Sequence, residues 1–180
     1  MNAVSSDRLI KQGRRRPIYT PGETAVAVDL GRRQLERMLP HRDPFLLLDG
    51  IDRVDFVERA IRGRRRIDPE DPVLRGHFPG DPVYPGVLLV EAIGQLGICL
   101  QHLLRSGRPT VGDDEAPRSL RLLKVTHALF AGEVRPGETI DLVARSIEDS
   151  DYVAVCAGQA LASDGQVRAL AVFEVFMLSE

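Results

Sequence analysis

The sequence predicts an α+β fold in which an antiparallel β-sheet is wrapped around one long central helix. A run of apolar residues over 86–105 has no helix breaker after Pro85 and is too long for a strand, so it predicts one helix of about five turns. Segments rich in β-branched and apolar residues follow it, separated by turn signals. The helical run is apolar on nearly every side, which is typical of a helix that is buried all round.

The strands are predicted from alternating segments on both sides of this helix. Residues 45–67 suggest two strands joined by a turn near Asp55–Glu58. An antiparallel meander is predicted downstream, with strands within 117–130, 138–149, 152–162 and 166–178. Five or six antiparallel strands around one buried helix make the hot-dog architecture. A two-layer sandwich with a surface helix is the alternative, and the lack of a polar helix face argues against it.

Two further segments complete this map. Residues 29–40 are predicted to form a short helix, with Asp29 as the N-cap and Pro40 at its end. Residues 68–86 contain five prolines and three glycines and are therefore predicted to be a loop.

The domain organisation predicted for the 180 residues is one domain with an extension. Residues 1–30 are expected to be a basic, flexible N-terminal extension without regular structure, and residues 31–180 a single hot-dog domain. Residues 1–33 carry seven Arg or Lys and three Asp or Glu, a charge of +4. Because the whole chain has a net charge of −2, the remaining residues carry −6. This distribution excludes the strongly basic profile of a nucleic-acid-binding protein.

The sequence also predicts a cytoplasmic protein without membrane insertion. Its first residues have no apolar core of the kind found in secretory signals. Polar residues, among them Glu91 and Gln101, make the long apolar run a poor membrane span. Cys99 and Cys156 lie in apolar segments without metal-ligand spacing and are interpreted as reduced core residues.

Glu91 is a candidate catalytic acid because it places a carboxylate in the most apolar segment of the chain. A buried, unpaired carboxylate costs several kcal/mol or takes up a proton. Gln95 lies one helical turn further on and can donate a hydrogen bond to it. A structural glutamate held by Gln95 or by a subunit partner is an equally weighted interpretation.

His77 is the candidate base, although a structural hydrogen bond in a loop is the commoner fate of any one histidine. The glycines and prolines of the string RGHFPGDPVYPG hold its backbone tightly, and rigid support is what a catalytic side chain needs. Pro85 and Gly86 stand at the predicted helix N-terminus, where unpaired N–H groups can stabilise an oxyanion. An imidazole, a carboxylic acid and N–H donors facing an apolar cavity suit proton abstraction next to a thioester.

Three strings of the sequence resemble the β-hydroxyacyl-acyl-carrier-protein dehydratases of fatty-acid synthesis, which are hot-dog enzymes. They are LPHRDPFLLLDGI (39–51), GHFPGDPVYPGVLLVEAIGQ (76–95) and VRPGE (134–138). The resemblance implies that His77 and Glu91 are catalytic and that the Gly86 N–H polarises the thioester carbonyl. Glutamate rather than aspartate at position 91 points to the branch that dehydrates without isomerising.

The resemblance also implies how the protein works. It would dehydrate a 3-hydroxyacyl group on acyl carrier protein, in fatty-acid or related lipid or polyketide synthesis, without metal or cofactor. The catalytic pair would come from two subunits of a homodimer, and such dimers would assemble into a trimer of dimers. We expect substrate to be bound by residues around the pair, namely Gly86, Phe78, Pro85, Val87 and Gln95.

Two other motifs receive different interpretations. His41 and Arg42 of the LPHR string are interpreted as loop residues that fix a helix-to-strand turn. A cluster of arginines such as that at 62 and 64–66 is usually a solvated face. It would also attract an acidic carrier protein.

Two alternative functions stay open at this stage. A hot-dog thioesterase would also bind acyl thioesters, with Glu91 activating water, but hydrolysis does not obviously require the His77 loop. A non-catalytic acyl-binding subunit would pair with an active partner, and the presence of both His77 and Glu91 argues against it.

Overall fold

The computed structural model describes residues 6–177, which fold into a seven-stranded antiparallel sheet and a long helix. The sheet order is β1-β2-β3-β5-β6-β7-β4. The helices are α1 (Ser6–Gly13), α2 (Arg32–Met38), α3 (Pro72–Gly76) and α4 (Gly86–Ser106), and the strands are β1 (Val26–Leu30), β2 (Gly50–Asp55), β3 (Ala60–Arg66), β4 (Leu120–Phe130), β5 (Thr139–Asp149), β6 (Val153–Leu161) and β7 (Val167–Met177).

Helix α4 lies against one face of the sheet, the inner face, and contacts β3, β5, β6 and β7. The approach is closest at Gly158 on β6, where an added Cβ would lie 2.3 Å from Cγ2 of Ile93. Glycine is therefore required there for the helix to reach the sheet. The predicted wrapping of an antiparallel sheet around one long helix is confirmed.

Helix α4 begins and ends where the sequence predicts. Pro85 is its N-cap, and Gly107 closes its C-terminus in the left-handed region, at φ 65°, with its N–H donating to Leu103 O. By length and composition α4 could cross a membrane, but most of its residues are buried inside the fold. One stripe, containing Val87, Glu91 and Ile98, is less buried than the rest. Burial on all sides, as predicted, is therefore wrong for this stripe.

The strand predictions are correct in type and need one change in pairing. The hairpin between β2 and β3 turns at residues 56–59, where Asp55 Oδ1 accepts hydrogen bonds from the N–H groups of Val57 and Glu58. Strands β5, β6 and β7 form the expected meander. Strand β4 pairs with β7 at the far edge of the sheet, because β3 already occupies the edge of β5.

Two short segments differ from the prediction. Asp29 lies inside β1 rather than capping α2, and Gly31 occupies the N-cap position. Residues 45–48 are not part of a strand. The loop over 68–86 contains the single-turn helix α3, because the Asp71 carboxylate accepts a hydrogen bond from the Val73 N–H and Pro72 is suited to the first helical turn.

The range predicted to be an extension without regular structure contains helix α1 and strand β1 in its described part, residues 6–30; residues 1–5 lie outside the described residues. Helix α1 and the chain that follows pack on the outer face of the sheet, and β1 pairs with β2. The side chains of Leu9, Ile18 and Tyr19 are buried there. Because basic residues separate these apolar positions, the sequence pattern did not reveal that burial of apolar area stabilises this segment.

Gln159 on β6 fastens this N-terminal segment to the sheet. Its side chain is fully buried, with 0% exposure. Its Nε2 donates to Gly13 O at 2.6 Å and to Arg16 O at 3.1 Å, and its Oε1 accepts from the Ile18 N–H at 2.8 Å. One side chain thus supplies the hydrogen bonds that an irregular backbone segment needs when it is buried.

We predict that Gln159→Leu loosens the N-terminal segment without unfolding the sheet. The loss of three buried hydrogen bonds should cost about 3 kcal/mol, at about 1 kcal/mol each. In hydrogen exchange, the Ile18 amide should lose its protection. The Leu47 amide, which donates to Gln95 Oε1 on the opposite face of the sheet, is the internal control. Unchanged protection at Ile18 would contradict the anchoring role.

Candidate active site

His77 stands at the end of α3, in a loop closed by its own hydrogen bonds. Its Nδ1 lies 2.7 Å from Val83 O, and the Val83 N–H donates to His77 O at 3.2 Å. A carbonyl oxygen can only accept a hydrogen bond, so Nδ1 carries the proton. In the neutral ring Nε2 then has the free lone pair, which is the arrangement that a general base needs.

His77 lines a cavity of about 480 Å³ at the N-terminus of α4. Gly86 contributes backbone there, and an added Cβ would lie 2.6 Å from Cδ1 of Phe130. The Gly86 N–H belongs to the first helical turn and has no intrahelical partner. Pro85 and Val87 also line this cavity. Phe78 does not line it, but its ring packs on that of His77 with centroids 4.2 Å apart.

Glu91 lies one and a half turns further along α4, on the less buried stripe. Its Oε1 accepts a hydrogen bond from Gln95 Nε2 at 2.9 Å, as the spacing of four residues predicts. His41 Nε2 lies 3.6 Å from the same oxygen. The carboxylate is therefore held by one hydrogen bond, with the His41 ring close by, while its side chain stays 31% exposed.

Neither cavity of a single chain supports the substrate-binding role predicted for Gln95. Its side chain is fully buried and lines neither the His77 cavity nor the cavity beside Glu91. Besides Glu91, its amide bonds Phe45 O and the Leu47 N–H, both at 2.8 Å. With these partners it has no group to offer a substrate, and it acts as a positioning residue that joins Glu91 to residues 45–47.

A second, apolar cavity of about 230 Å³ opens beside Glu91. Gly94 and Gly97 of α4 form one wall, and Cys156 and Phe173 form the opposite wall. Added Cβ atoms on the two glycines would lie in van der Waals contact with Phe173 and Cys156 at 3.5 Å, so side chains at these positions would take up space between α4 and the sheet. Its shape and lining suit an alkyl chain with a polar group at the Glu91 end.

The thiol of Cys156 faces this apolar cavity without ionising. Burial raises the pKa of the Cys156 thiol to about 11 and also raises that of Cys99. Both cysteines are free, as predicted. In residues 6–177, no group of three or more His, Cys, Asp or Glu side chains is placed to hold a metal ion.

His77 and Glu91 line different cavities within one chain. The His77 cavity is walled by the helix start and by residues 130–133, whereas the Glu91 cavity lies between α4 and residues of β4, β6 and β7. Neither residue is among the hydrogen-bond or ion-pair partners of the other in the described part of the chain. A single chain therefore presents the predicted base and the predicted acid separately.

A protein-family model described as a FabA-like domain matches residues 39–171, a range that contains both His77 and Glu91. The chain belongs to the FabA-like family. The matched range starts after α2, so helix α1 and strand β1 of this FabA-like protein lie outside it.

Relatives of this FabA-like chain include proteins named 3-hydroxyacyl-acyl-carrier-protein dehydratase FabZ. The protein from Aliarcobacter butzleri is 33% identical over 147 residues, which are 82% of this chain and 97% of that protein. The protein from Xanthomonas oryzae is 35% identical over 109 residues, or 61% of this chain and 67% of that protein. The predicted family is thereby confirmed.

Solved structures similar to the FabA-like chain confirm the hot-dog fold. The dehydratase heterocomplex ApeI:P from Xenorhabdus doucetiae aligns with a TM-score of 0.61 and 17% identity, covering 81% of this chain and 91% of that one. A hypothetical thioesterase with coenzyme A from Streptococcus pneumoniae aligns with a TM-score of 0.52 and 9% identity, covering 68% and 81%. At these identities the likeness establishes the fold alone.

His41 is the residue near Glu91 that the sequence did not connect with the site. It lies in a loop, as interpreted, and its ring in addition lies beside Glu91 and lines the same cavity. Its Nδ1 is buried without a partner among the described residues. The available signal was the histidine of LPHR itself, which nothing in the sequence linked to position 91.

We predict that Gln95→Leu destabilises the FabA-like fold more than Gln101→Leu, the same change six residues along α4. Gln95→Leu leaves the buried Leu47 N–H and the partly buried Phe45 O without their partner, which should cost about 3 kcal/mol. Gln101 bonds only the Ser146 hydroxyl and the Cys156 thiol, so its loss should cost about 1 kcal/mol. Urea unfolding measures both, and equal losses would contradict the role given to Gln95.

Proposed function

We propose that the protein dehydrates 3-hydroxyacyl groups carried on acyl carrier protein to trans-2-enoyl groups, in fatty-acid or related lipid synthesis. The observation that carries the proposal is that one chain presents, at two separate cavities, a rigidly held His77 whose Nε2 keeps its lone pair and the Glu91 carboxylate beside an apolar cavity. The names of the relatives support the same reaction and the same carrier-bound substrate. Cytoplasmic location agrees with two free, buried cysteines.

A homodimer would bring the two halves of the site together along β4. This strand is at the sheet edge, and its exposed apolar side chains include Leu122, Leu123 and Val125. Such an edge is open to pairing with another strand. Phe130, at one end of β4, lines the His77 cavity, and Leu120, at the other end, lines the Glu91 cavity.

The two-fold symmetry of a dimer explains why this arrangement would complete the site. If two β4 strands pair antiparallel about a point near Val125, Phe130 of one chain lies opposite the partner subunit's Leu120. The His77 cavity of one chain then adjoins the Glu91 cavity of its partner, so each dimer has two shared sites. A trimer of such dimers is the larger assembly that we propose.

In the proposed reaction His77 and Glu91 act on adjacent carbons of the substrate. His77 Nε2 removes a proton from C2, and the Gly86 N–H stabilises the negative charge on the thioester oxygen. The electron pair forms the C2–C3 double bond as the C3–O bond breaks. Glu91, directly or through a water molecule, delivers a proton to the departing hydroxyl, which leaves as water. A proton moves from His77 to Glu91 to reset the pair, and no oxidant or metal takes part.

Two other functions make different predictions. A thioesterase would release the free acid and would not need His77, and the solved thioesterase that resembles this chain shares its fold at 9% identity. A non-catalytic subunit would be inactive alone. Hydration of a crotonyl thioester by the purified protein, followed as loss of ultraviolet absorbance, tests all three. No loss of absorbance by the protein alone would contradict the dehydratase proposal.

We predict that His77→Ala lowers kcat/KM for the crotonyl thioester by about 10²–10⁴-fold, the usual worth of a general base. The fold should persist, because His77 is only half-buried in an exposed loop. Circular dichroism and the melting temperature check the fold. A variant that keeps wild-type kcat/KM would show that another residue is the base.

We predict that Glu91→Gln keeps substrate binding and loses turnover, because the amide has the shape of the acid without its transferable proton. Glu174→Gln is the matched control, since Glu174 lies on β7 between two residues that line the cavity and points to the opposite face. Size-exclusion chromatography must accompany the assay. Loss of activity together with loss of the dimer would support a structural role for Glu91.

Mixing the two inactive variants tests the shared site. Random pairing of His77→Ala and Glu91→Gln chains makes about half the dimers mixed, and each mixed dimer has one intact site of two. Co-refolding should therefore restore about a quarter of wild-type activity. If subunit exchange is verified and activity does not return, both residues act within one chain.

A further inference from the structure

The N-terminal segment carries a basic groove that the proposed chemistry does not use. Its lining includes the side chains of Arg8, Lys11, Arg15 and Arg16, and all four are exposed. None of them takes part in an ion pair among the described residues. Residues 7–16 contain five basic residues and one acidic residue, so the segment has a charge of +4.

This groove is fixed to the sheet rather than free to move. Gln159 bonds the carbonyl groups of Gly13 and Arg16, and the side chains of Leu9 and Ile18, in and just after the basic run, are buried. The charges therefore have a defined position relative to the rest of the protein. Four like charges held close together repel one another, and an acidic partner would relieve this repulsion.

The groove lies on the outer face of the sheet, a short distance across the strands from residues that line the His77 cavity on the inner face. Gln159 pairs in register with Leu170 on β7, and Leu170 pairs with Leu129 on β4. At a strand spacing of about 4.8 Å, the anchor is about 10 Å from β4. The next residue on β4 is Phe130, which lines the His77 cavity.

Arg168 extends the positive charge from the groove to the edge of this cavity. It lies two residues from Leu170 on β7, so the two side chains point to the same, outer face. An added Cβ on Gly132, which lines the cavity, would lie 2.8 Å from Nη1 of Arg168. Arg168 thus lies between the groove and a residue that lines the His77 cavity.

We propose that the basic groove, together with Arg168, docks the acidic carrier protein that presents the substrate. The inference rests on the proposed function, which requires a partner whose thioester arm enters the His77 cavity while its protein body stays on the surface. A docking surface must therefore adjoin the cavity and be positive. The groove meets both requirements, and it belongs to the part of the chain that lies outside the family match.

The arginines of β3 meet these requirements less well. Arg62 pairs with Asp52 and Arg65 with Asp49, so half of that cluster is neutralised within the chain. The whole chain has a net charge of −2 and residues 7–16 carry +4, so the rest of the protein carries −6. A long polyanion such as nucleic acid, or an anionic membrane surface, would also contact this negative remainder and be repelled by it. A compact acidic protein needs only the local patch.

The test compares the same acyl group attached to two different thiols. Crotonyl groups are presented on purified acyl carrier protein and on the small thiol N-acetylcysteamine, and hydration is measured for wild type and for Lys11→Gln/Arg15→Gln. We expect kcat/KM with the carrier to fall about 10-fold, mainly through KM, and the small thioester to react at the wild-type rate. Added salt should lower the wild-type rate with the carrier and affect the variant less.

Arg64→Gln/Arg66→Gln, which removes the same charge from exposed arginines of β3, is the matched control and should behave as wild type. The proposal would be overturned if Lys11→Gln/Arg15→Gln lowered kcat/KM equally for the carrier-bound and the small thioester, or for neither. It would also be overturned if only the β3 variant had a lower kcat/KM with the carrier-bound substrate. If wild type hydrates neither substrate, the proposed function fails, and titration of carrier protein into wild type and Lys11→Gln/Arg15→Gln then decides docking alone. Equal carrier binding by both, with weaker binding of the variant to DNA or to phosphatidylglycerol vesicles, would assign the groove to another polyanion.

Discussion

The contact of helix α4 with the inner face of the sheet is the constraint on which the remaining structure depends. A helix with so few polar positions is stable in water only if other elements cover it, and four strands do so. Gly158 lets the helix approach closely enough for Ile93 to pack against β6. The packing of α4 on the sheet also forms the cavity beside Glu91 and places the helix N-terminus in the cavity that contains His77.

Two buried glutamines, one on each side of the sheet, supply hydrogen bonds to backbone that is not part of a helix or strand. Gln95 on the inner side and Gln159 on the outer side each satisfy irregular backbone that is packed against regular structure. A primary amide suits this task because it donates and accepts at once. Gln95 in addition holds a carboxylate, which connects the support of the fold with the chemistry of the site.

The sequence predicted the features that depend on local pattern. Helix α4, the strands after it and the hydrogen bond between Gln95 and Glu91 follow from periodicity and spacing alone. The N-terminal helix was missed because its few apolar residues are interrupted by arginines and become buried only against β6 and β7. The pairing of β4 with β7 and the closeness of His41 to Glu91 are contacts between distant parts of the chain, and no local pattern encodes them.

The neutral state of Cys156 has a consequence for the product of the proposed reaction. A trans-2-enoyl thioester is an electrophile to which a thiolate adds at C3, and this thiol faces the cavity that suits the alkyl chain. With a pKa of about 11, about one thiol in ten thousand is ionised at neutral pH. Burial of this sulfur therefore lowers its reactivity toward the enoyl product. A cysteine can line the cavity in this position without being readily alkylated.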